Sequence, residues 1–446
     1  MVTTGGGRPL TAALSRRQFI RLSALAAGGL LTGCAVNPVT GRSQLMLVSE
    51  DQEIQLDRQN SPYQFSSDYG AVQDAALNRY IHQTGLKLAT HTHRPQMPYS
   101  FRCVNATYVN AYAFPGGSIA ATRGILLKLQ NEAELAALLG HELGHVNARH
   151  TAEQMSKGML TQSLVGGLAI VAGTQSSALG ELTSQLGMLG AGALLASYSR
   201  DNERQADALG MEYLARAGYG SEGFVGLMNM LNTLSKGHAS ATALLFSTHP
   251  MSTERYQTAL TMAEGQYRYA GGQPLYRERY MDQTAGLRAI RGAIEAMQNG
   301  EKEMGAQNYS AAETQFRSAL RAAPGDYAGL VLMAKCQLVQ KKYVEGARYA
   351  ESAQQVYPAE AQAHYLGGYA RLASKDYEGA YKAFTRYDRL LAGNPNISFF
   401  KGYALEGMQR RKEAAENYYR YLQVVRQGEK AQHAHRRLVE WGYIKN

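Results

Sequence analysis

The sequence predicts a mainly α-helical protein with a small β-sheet in its first half and an α-solenoid of helical repeats in its second half. Three observations lead to this fold class. A capped amphipathic segment follows Asn131, an alternating segment covers 108–114, and a tyrosine recurs every 34 residues from Tyr309. With 446 residues, 45% of them hydrophobic, the chain is long enough for two or three domains with their own cores.

The charge of the chain does not point to nucleic acid. The formal net charge is +10, but several arginines lie near the amino terminus and the other basic residues are scattered. The sequence has no basic stripe with interleaved aromatic residues, so we expect no nucleic-acid partner.

The amino terminus resembles a bacterial export signal. Residues 15–21, Ser-Arg-Arg-Gln-Phe-Ile-Arg, resemble a twin-arginine signal, and the apolar run over 22–31 is too short for a confident membrane span. Residues 31–34, Leu-Thr-Gly-Cys, look like a lipobox in which Cys34 is lipidated. We therefore expect residues 1–33 to be a signal peptide and the mature protein to be anchored in the periplasm. Alanine rather than aspartate follows the cysteine, which by resemblance to sorted lipoproteins favours the outer membrane.

An alternating segment over 108–114 predicts a β-strand that ends at the turn formed by residues 115–117, Pro-Gly-Gly. At the edge of a sheet, such a strand can pair with an extended peptide through its backbone. Strand addition gives broad selectivity for unfolded or unassembled polypeptides. An interior strand without substrate contact fits the pattern as well. The residues of the candidate substrate strand are Asn110, Ala111, Tyr112 and Ala113.

A helix is predicted after Asn131. Glu134 follows three residues later, which gives a capping-box signature. The apolar face of this helix consists of Leu135, Leu138, Leu139 and Leu143.

This helix carries the sequence His-Glu-Leu-Gly-His. Because residues four apart lie on one helical face, His141 and His145 can bind a single metal ion, and Glu142 then flanks the open coordination position. The pattern is typical of a hydrolytic zinc site. An amphipathic helix that merely carries two histidines is the alternative.

A catalytic zinc needs a third protein ligand. In the metzincin motif, the third ligand would fall at position 151, which is a threonine here, and His150 lies one residue before it. Farther along the chain, Glu203 and Asp207 share a helical face, so Glu203 can bind zinc while Asp207 orients a ligand histidine from behind. A solvated, charged helix start explains the same residues.

Taken together, these motifs resemble peptidase family M48. The resemblance rests on residues 141–145, on residues 199–207, and on Ser-Thr-His-Pro at 247–250 with Arg255. It covers roughly 100–260, including 110–117, which is similar to the strand that borders the family's cleft. Gln205 departs from the family pattern, since many members carry an acidic residue there.

The resemblance implies a zincin-like (gluzincin) fold and a zinc-dependent endopeptidase with one Zn²⁺ per chain. Glu142 would take a proton from the attacking water and pass it to the leaving amine. His249 and Arg255 would be the candidate donors to the oxyanion. Alternatively, His249 would be a fourth ligand that keeps the enzyme latent.

Between the two metal motifs, residues 159–195 are rich in Gly, Ala, Leu and Ser. Their apolar runs are too short to span a bilayer, so packed helices are expected.

The second half of the chain contains repeats. Tyr309, Tyr343 and Tyr377 recur with a period typical of tetratricopeptide repeats, and Arg411 falls where a fourth unit should continue. A small residue follows each tyrosine at the same offset, and Pro324 closes the first unit. These small residues are Ala312, Gly346 and Ala380, and a second closing proline is Pro358. About four repeats are predicted. Six further tyrosines would either line a concave groove or pack between repeats. They are Tyr365, Tyr369, Tyr381, Tyr403, Tyr418 and Tyr419.

Two cysteines remain besides Cys34. Cys103 and Cys336 would either form one disulfide in an oxidising compartment or remain buried thiols.

We therefore divide the chain into a signal peptide (1–33), a metallopeptidase domain (34–270), a linker helix (271–294) and a repeat solenoid (295–446). The expected activity is zinc-dependent hydrolysis of misfolded or unassembled envelope proteins, with the repeats binding substrate or the envelope protein-assembly machinery. A metal-binding assembly chaperone or scaffold lipoprotein with little proteolysis is the alternative.

Overall fold

The computed structural model describes residues 34–165, 198–237 and 240–445. These residues form a small sheet surrounded by helices in the first half and stacked helix pairs in the second half, which confirms the predicted fold class. The proposed signal peptide lies outside the described residues, and so does most of the segment 159–195. Among the described helices, none is long and apolar enough to cross a membrane.

The central sheet has three strands in the order β3-β5-β4. Strand β3 (Ser100–Val104) runs parallel to β5 (Ser118–Thr122), and β4 (Ala111–Ala113) runs antiparallel to β5. Strand β4 therefore lies at an edge. A separate antiparallel hairpin joins β1 (Cys34–Val36) to β2 (Ser43–Leu45).

Eleven helices of the described residues belong to the first half. They are α1 (Glu50–Ser67), α2 (Ala75–Ala89), α3 (Arg123–Leu126), α4 (Glu132–Asn147), α5 (His150–Val165), α6 (Arg200–Arg216), α7 (Glu222–Ser235), α8 (Ala243–Thr248), α9 (Thr253–Glu264), α10 (Arg277–Gln283) and α11 (Ala285–Ala289). Two 3₁₀ turns cover Ser240–Thr242 and Arg268–Ala270.

Helix α4 begins where the sequence predicts. The side chain of Asn131 accepts a hydrogen bond of 2.9 Å from the backbone N–H of Glu134, which satisfies one of the free donors at a helix start. All residues of α4 are buried, so this helix forms the centre of the first half.

Helices α4 and α6 pack unusually close together because small residues line their contact. A Cβ atom added to Gly144 would lie 2.8 Å from the backbone oxygen of Ala206, and one added to Gly210 would lie 2.9 Å from the backbone nitrogen of His141. Glycine is therefore required at these positions for the two backbones to approach each other.

The second half consists of four helix pairs and a final helix. They are α12 (Arg291–Gly305) with α13 (Tyr309–Ala322), α14 (Tyr327–Val339) with α15 (Tyr343–Val356), α16 (Gln362–Ala373) with α17 (Tyr377–Leu390), α18 (Pro395–Gly407) with α19 (Arg411–Leu422), and α20 (Glu429–Glu440). The predicted repeat is confirmed, since Tyr309, Tyr343, Tyr377 and Arg411 each begin the second helix of a pair.

The turn inside each pair also repeats every 34 residues. One residue of each turn adopts a left-handed backbone conformation, with φ between 60° and 63°. This conformation ends the first helix and reverses the chain. The four residues are Gln307, Lys341, Lys375 and Gln409.

The six tyrosines that the sequence left between groove and packing divide into three groups. Tyr365 and Tyr418 are fully buried between helices and contribute to packing. Tyr403 is 39% exposed and Tyr419 is 55% exposed, so a role in binding stays a prediction for these two. Tyr369 and Tyr381 are partly buried.

The disulfide left open by the sequence is not formed. Cys103 and Cys336 are both free and buried, because each belongs to a different part of the core. The sulfur of Cys103 lies 3.7 Å from the carbonyl oxygen of Val104 in β3. The sulfur of Cys336 lies 3.5 Å from the carbonyl oxygen of Tyr309 in the repeats. Burial raises the pKa of Cys103 to about 12, which keeps it a protonated thiol.

Candidate metal centre

Helices α4 and α6 and the residue after α8 bring four metal-binding side chains together. Nε2 of His141 and Nε2 of His145 are 3.1 Å apart, as expected for residues on one face of α4. Helix α6 adds Glu203, whose Oε1 lies 3.3 Å from Nε2 of His145. His249 follows α8, and its Nδ1 lies 3.1 Å from the same Oε1.

These spacings fit a zinc ion. Zinc–nitrogen and zinc–oxygen bonds of about 2.0–2.1 Å in a tetrahedron place the ligand atoms about 3.3 Å apart. The four candidate ligand atoms lie within 4.8 Å of one another, and all four residues are buried. Two or three imidazoles with one carboxylate form a donor set that suits zinc.

The protonation of the site also favours a cation. Burial lowers the pKa of His145 far below its usual range, which leaves the ring neutral. Burial alone would raise the pKa of Glu203, but the neighbouring His249 and His141 hold it well below its usual value. An ionised Glu203 carboxylate beside the neutral ring of His145 is the state in which these two side chains can bind a metal ion.

Behind the ligands, Asp207 and Arg255 form a buried ion pair. Oδ1 of Asp207 lies 2.9 Å from Nδ1 of His141, so a proton on Nδ1 would leave Nε2 free to bind metal. Arg255 donates to both oxygens of Asp207 at 2.7 Å, and its Nη1 lies 2.7 Å from Oε2 of Glu203.

The contacts of Arg255 were not predicted from the sequence. Its guanidinium group binds Asp207, Glu203 and the backbone oxygen of Pro250. These contacts favour a positioning role, and donation by Arg255 to an oxyanion stays a prediction. The sequence could not show the contact with Asp207, because the two residues are about 50 positions apart.

The surroundings of His145 were not predicted. Its Nδ1 lies 2.9 Å from Nδ1 of His150, and Nε2 of His150 lies 3.0 Å from Oε1 of Gln205. The ring of Tyr198 stacks on His145 with 3.7 Å between ring centroids. Gln205 therefore contacts His150, which in turn contacts the candidate ligand His145. In the sequence, only His150, five residues after His145, pointed to these contacts of His145.

Glu142 lies beside the four candidate ligands. Its side chain is 2% exposed, and Oε1 lies 3.9 Å from Nε2 of His249. The other oxygen, Oε2, has no hydrogen-bond partner among the described residues. Burial raises the pKa of this carboxyl group, which makes it a stronger base than an exposed glutamate.

Strand β4, with the candidate substrate residues, packs beside helix α4. The backbone oxygen of Asn110 accepts from the N–H of Thr122, and Tyr112 is paired with Ala120 of β5. Because bonded and non-bonded positions alternate in an antiparallel ladder, Ala111 and Ala113 turn their backbone groups away from β5. Among the described residues no strand pairs with this outer side of β4, although its three residues are buried.

Comparisons with known proteins agree with this centre. Residues 75–263 match the model of peptidase family M48. The chain is 29% identical over 244 residues to the beta-barrel assembly-enhancing protease of Yersinia pestis, covering 53% of this chain and 49% of that protein. It is 34% identical over 160 residues to the metalloprotease YcaL of Escherichia coli, covering 36% of this chain and 60% of that protein.

The chain thus spans about half the length of the curated relatives it matches. A solved structure of YrrB, a TPR protein with an unusual peptide-binding site, is 13% identical and has a TM-score of 0.31, covering 46% of this chain and 97% of that one. The family model covers α2 to α9 almost completely, which includes every candidate ligand. Residues 75–263 of this chain are therefore a domain of peptidase family M48.

Proposed function

We propose that this protein is a zinc-dependent endopeptidase that hydrolyses unfolded or unassembled proteins of the cell envelope. The observation that carries the proposal is the buried group of His141, His145 and Glu203 at tetrahedral spacing, with Glu142 beside it. A structural zinc site needs no unpaired base next to its ligands, whereas a hydrolytic site does.

Zinc bound to His141, His145 and Glu203 would polarise the scissile carbonyl and lower the pKa of a water molecule. The protein supplies the rest. Glu142 takes the proton of the attacking water on a carboxylate oxygen and passes it to the leaving amine. Asp207 holds the orientation of His141, and Arg255 holds both Asp207 and Glu203, so we assign these two residues positioning roles.

His249 is proposed to be a fourth ligand in a latent state. Its Nδ1 lies 3.4 Å from Nε2 of His141, within the spacing of the other candidate ligands. Burial lowers the pKa of His249, but the carboxylates of Glu203 and Glu142 outweigh this effect and raise it. Because a closed four-ligand site has no place for a water molecule, His249 must leave before hydrolysis.

Substrates are proposed to bind along strand β4, whose residues run from Asn110 to Ala113. The outward backbone groups of Ala111 and Ala113 would pair with an extended polypeptide. Such pairing depends on the backbone of the substrate, so it requires an unfolded segment more than a particular sequence.

The cellular setting is proposed from the sequence and the relatives. A twin-arginine-like signal over 1–33 and lipidation of Cys34 would anchor the enzyme in the periplasm, at the outer membrane. A relative is named a beta-barrel assembly-enhancing protease, which supports a partner in the envelope protein-assembly machinery. In this division of the chain, residues 34–270 hydrolyse substrate, 271–294 link, and 295–446 recruit partners.

The test is degradation of an unfolded outer-membrane protein by the mature enzyme, with bound zinc quantified in each sample. We expect Glu142→Gln to retain zinc and to lose activity by at least about 100-fold, because the proton acceptor is removed and the ligands are not. Glu254→Gln is the matched control, since Glu254 is exposed and, among the described residues, forms an ion pair with Arg204 at the surface.

Zinc in all three proteins with activity in the wild type and the control would support the proposal. Zinc without activity in any of them would leave two readings, an enzyme held latent by His249 and a metal-bearing assembly chaperone. Activity in His249→Ala would then identify the latent enzyme, and its absence would favour the chaperone. Loss of zinc from Glu142→Gln would contradict the assignment of Glu142 as a base that does not bind the metal.

A further inference from the structure

The residue that leads into strand β4 is held by the repeats. The hydroxyl of Thr107 donates to Oε2 of Glu301, and Nε2 of Gln298 donates to the backbone oxygen of Thr107 at 2.6 Å. Both partners belong to α12, the first helix of the repeat stack. Thr107 is completely buried, whereas Gln298 and Glu301 are partly buried.

The other side of the same segment is held by the end of α1. The hydroxyl of Tyr108 donates to Oδ1 of Asp68 at 2.7 Å, and the hydroxyl of Tyr112 donates to Oδ2 of the same carboxylate. Gln64 donates to Oδ2 at 3.0 Å. These bonds hold the side chains of the segment, while the outward backbone groups of Ala111 remain directed away from β5.

Glu301 is itself fixed in place. Its Oε1 accepts from the hydroxyl of Tyr69 at 3.2 Å, and the ammonium group of Lys335 lies 4.7 Å from the centre of the Tyr69 ring. Nearby, the buried ion pair of Arg123 with Asp326 joins α3 to the second helix pair. The repeats thus form a rigid support for the segment before β4.

We propose that Glu301 is a positioning residue, through which the repeat region sets the position of the substrate strand by holding Thr107. This inference rests on the proposed function of β4. Its consequence is that a partner that moves α12 changes the affinity for substrate without touching the metal centre. The repeats then act on the active site directly, in addition to recruiting partners.

Two single substitutions separate positioning from general stability. Thr107→Val and Tyr69→Phe each remove one hydroxyl that donates to the Glu301 carboxylate, but only Thr107 leads into β4. We expect Thr107→Val to raise KM for an unfolded polypeptide about three- to tenfold, the effect of one buried hydrogen bond. Bound zinc and kcat should not change, and Tyr69→Phe should change KM by less than about twofold.

The contact itself is tested by Glu301→Gln, alone and combined with Thr107→Val. If the two residues act through one hydrogen bond, the double variant should have nearly the KM of Thr107→Val alone. Should Thr107→Val fail to fold, Glu301→Gln supplies a second test, since it keeps the shape of the side chain but replaces one of the two oxygens that accept from Thr107 and Tyr69 by an amide group. An unchanged KM in the Thr107 and Glu301 variants, or an equal rise in Tyr69→Phe, would overturn the inference.

A binding measurement separates this inference from the proposed function. Fluorescein-labelled, reduced and carboxymethylated lactalbumin is titrated with zinc-loaded Glu142→Gln, with and without Thr107→Val. Binding weakened by Thr107→Val would support the inference even if the wild type cleaved nothing, in which case only the proposed function would fail. Cleavage by the wild type with equal binding by both proteins would overturn the inference alone.

Discussion

His249 determines whether the metal centre has three protein ligands or four. Its Nδ1 is 3.1 Å from Oε1 of Glu203 and 3.4 Å from Nε2 of His141, a spacing that fits a fourth ligand. The backbone of its loop is tied to the start of α6, because the N–H of Tyr198 donates to the oxygen of Thr248 at 3.0 Å. A small movement of this loop would therefore open the site.

We expect His249→Ala to retain zinc on its three remaining ligands and to raise the rate of peptide hydrolysis about tenfold. A rise of this size corresponds to an open state that is populated about one tenth of the time in the wild type. Hydrolysis of an unfolded polypeptide and bound zinc are measured together. Ser247→Ala, an exposed change in helix α8 just before His249, is the control. A fall in rate with zinc retained would show instead that His249 assists catalysis.

At this scale, the sequence predicted the residues of the centre better than their partners. His141, Glu142 and His145 are fixed by the period of a single helix, and Glu203 and Asp207 by the period of another. The contacts of Arg255 with Asp207 and of His150 with Gln205 span about 50 residues or more. Such contacts depend on how two helices pack, which no local pattern records.

At the scale of elements, the centre depends on the close contact between α4 and α6. Gly144 lies between the two histidines, and a Cβ atom there would meet the oxygen of Ala206 at 2.8 Å and its Cα at 2.9 Å. Both are backbone atoms, so α6 itself would have to shift. Glu203 lies one turn before Ala206 and would move with it.

We expect Gly144→Ala to lower the free energy of unfolding by about 1–3 kcal/mol, as overpacking does, and to weaken zinc binding. Gly292→Ala is the matched control, because Gly292 is also helical but has no atom within 4 Å of the added Cβ. This control should be neutral or stabilised by up to about 1 kcal/mol. Chemical denaturation and zinc titration check both variants, and unchanged zinc affinity in Gly144→Ala would contradict the close-packing argument.

Elements with a strong local signal were predicted well. The cap of α4 at Asn131 and the period of the repeats follow from nearby residues, and the structure confirms both. Whether Cys103 and Cys336 form a disulfide was left open, because the distance between them depends on how the two halves of the chain dock. The hydrogen bond of Thr107 with Glu301 joins residues 194 positions apart and had no sequence signal.

At the scale of the whole molecule, a buried lysine of the repeats faces carboxylates from both halves of the chain. Lys335 of α14 is 6% exposed, and the carboxylates of Asp68, Glu301 and Glu360 face it. Asp68 belongs to the first half of the chain and the other two belong to the repeats. Burial lowers the pKa of Lys335 to about 8, although these carboxylates act to raise it.

This pKa predicts how stability depends on pH. Above the usual lysine pKa of about 10.4, Lys335 is neutral in both the folded and the unfolded state. As the pH falls towards 8, the unfolded chain binds a proton that the folded protein does not, so the folded state loses stability. Raising the pH from 8 to 10 should therefore stabilise the wild type relative to Lys335→Met by about 2 kcal/mol.

The free energy of unfolding of both proteins is measured by chemical denaturation at pH 8, 9 and 10. The difference between them cancels the titration of the other groups, including the buried tyrosines. Lys382→Met is the control, because Lys382 is 72% exposed and pairs only with Glu378 on the same helix; its difference from the wild type should not depend on pH. If the difference for Lys335→Met were also independent of pH, Lys335 would be protonated throughout this range, and its three carboxylates would have to outweigh the effect of burial.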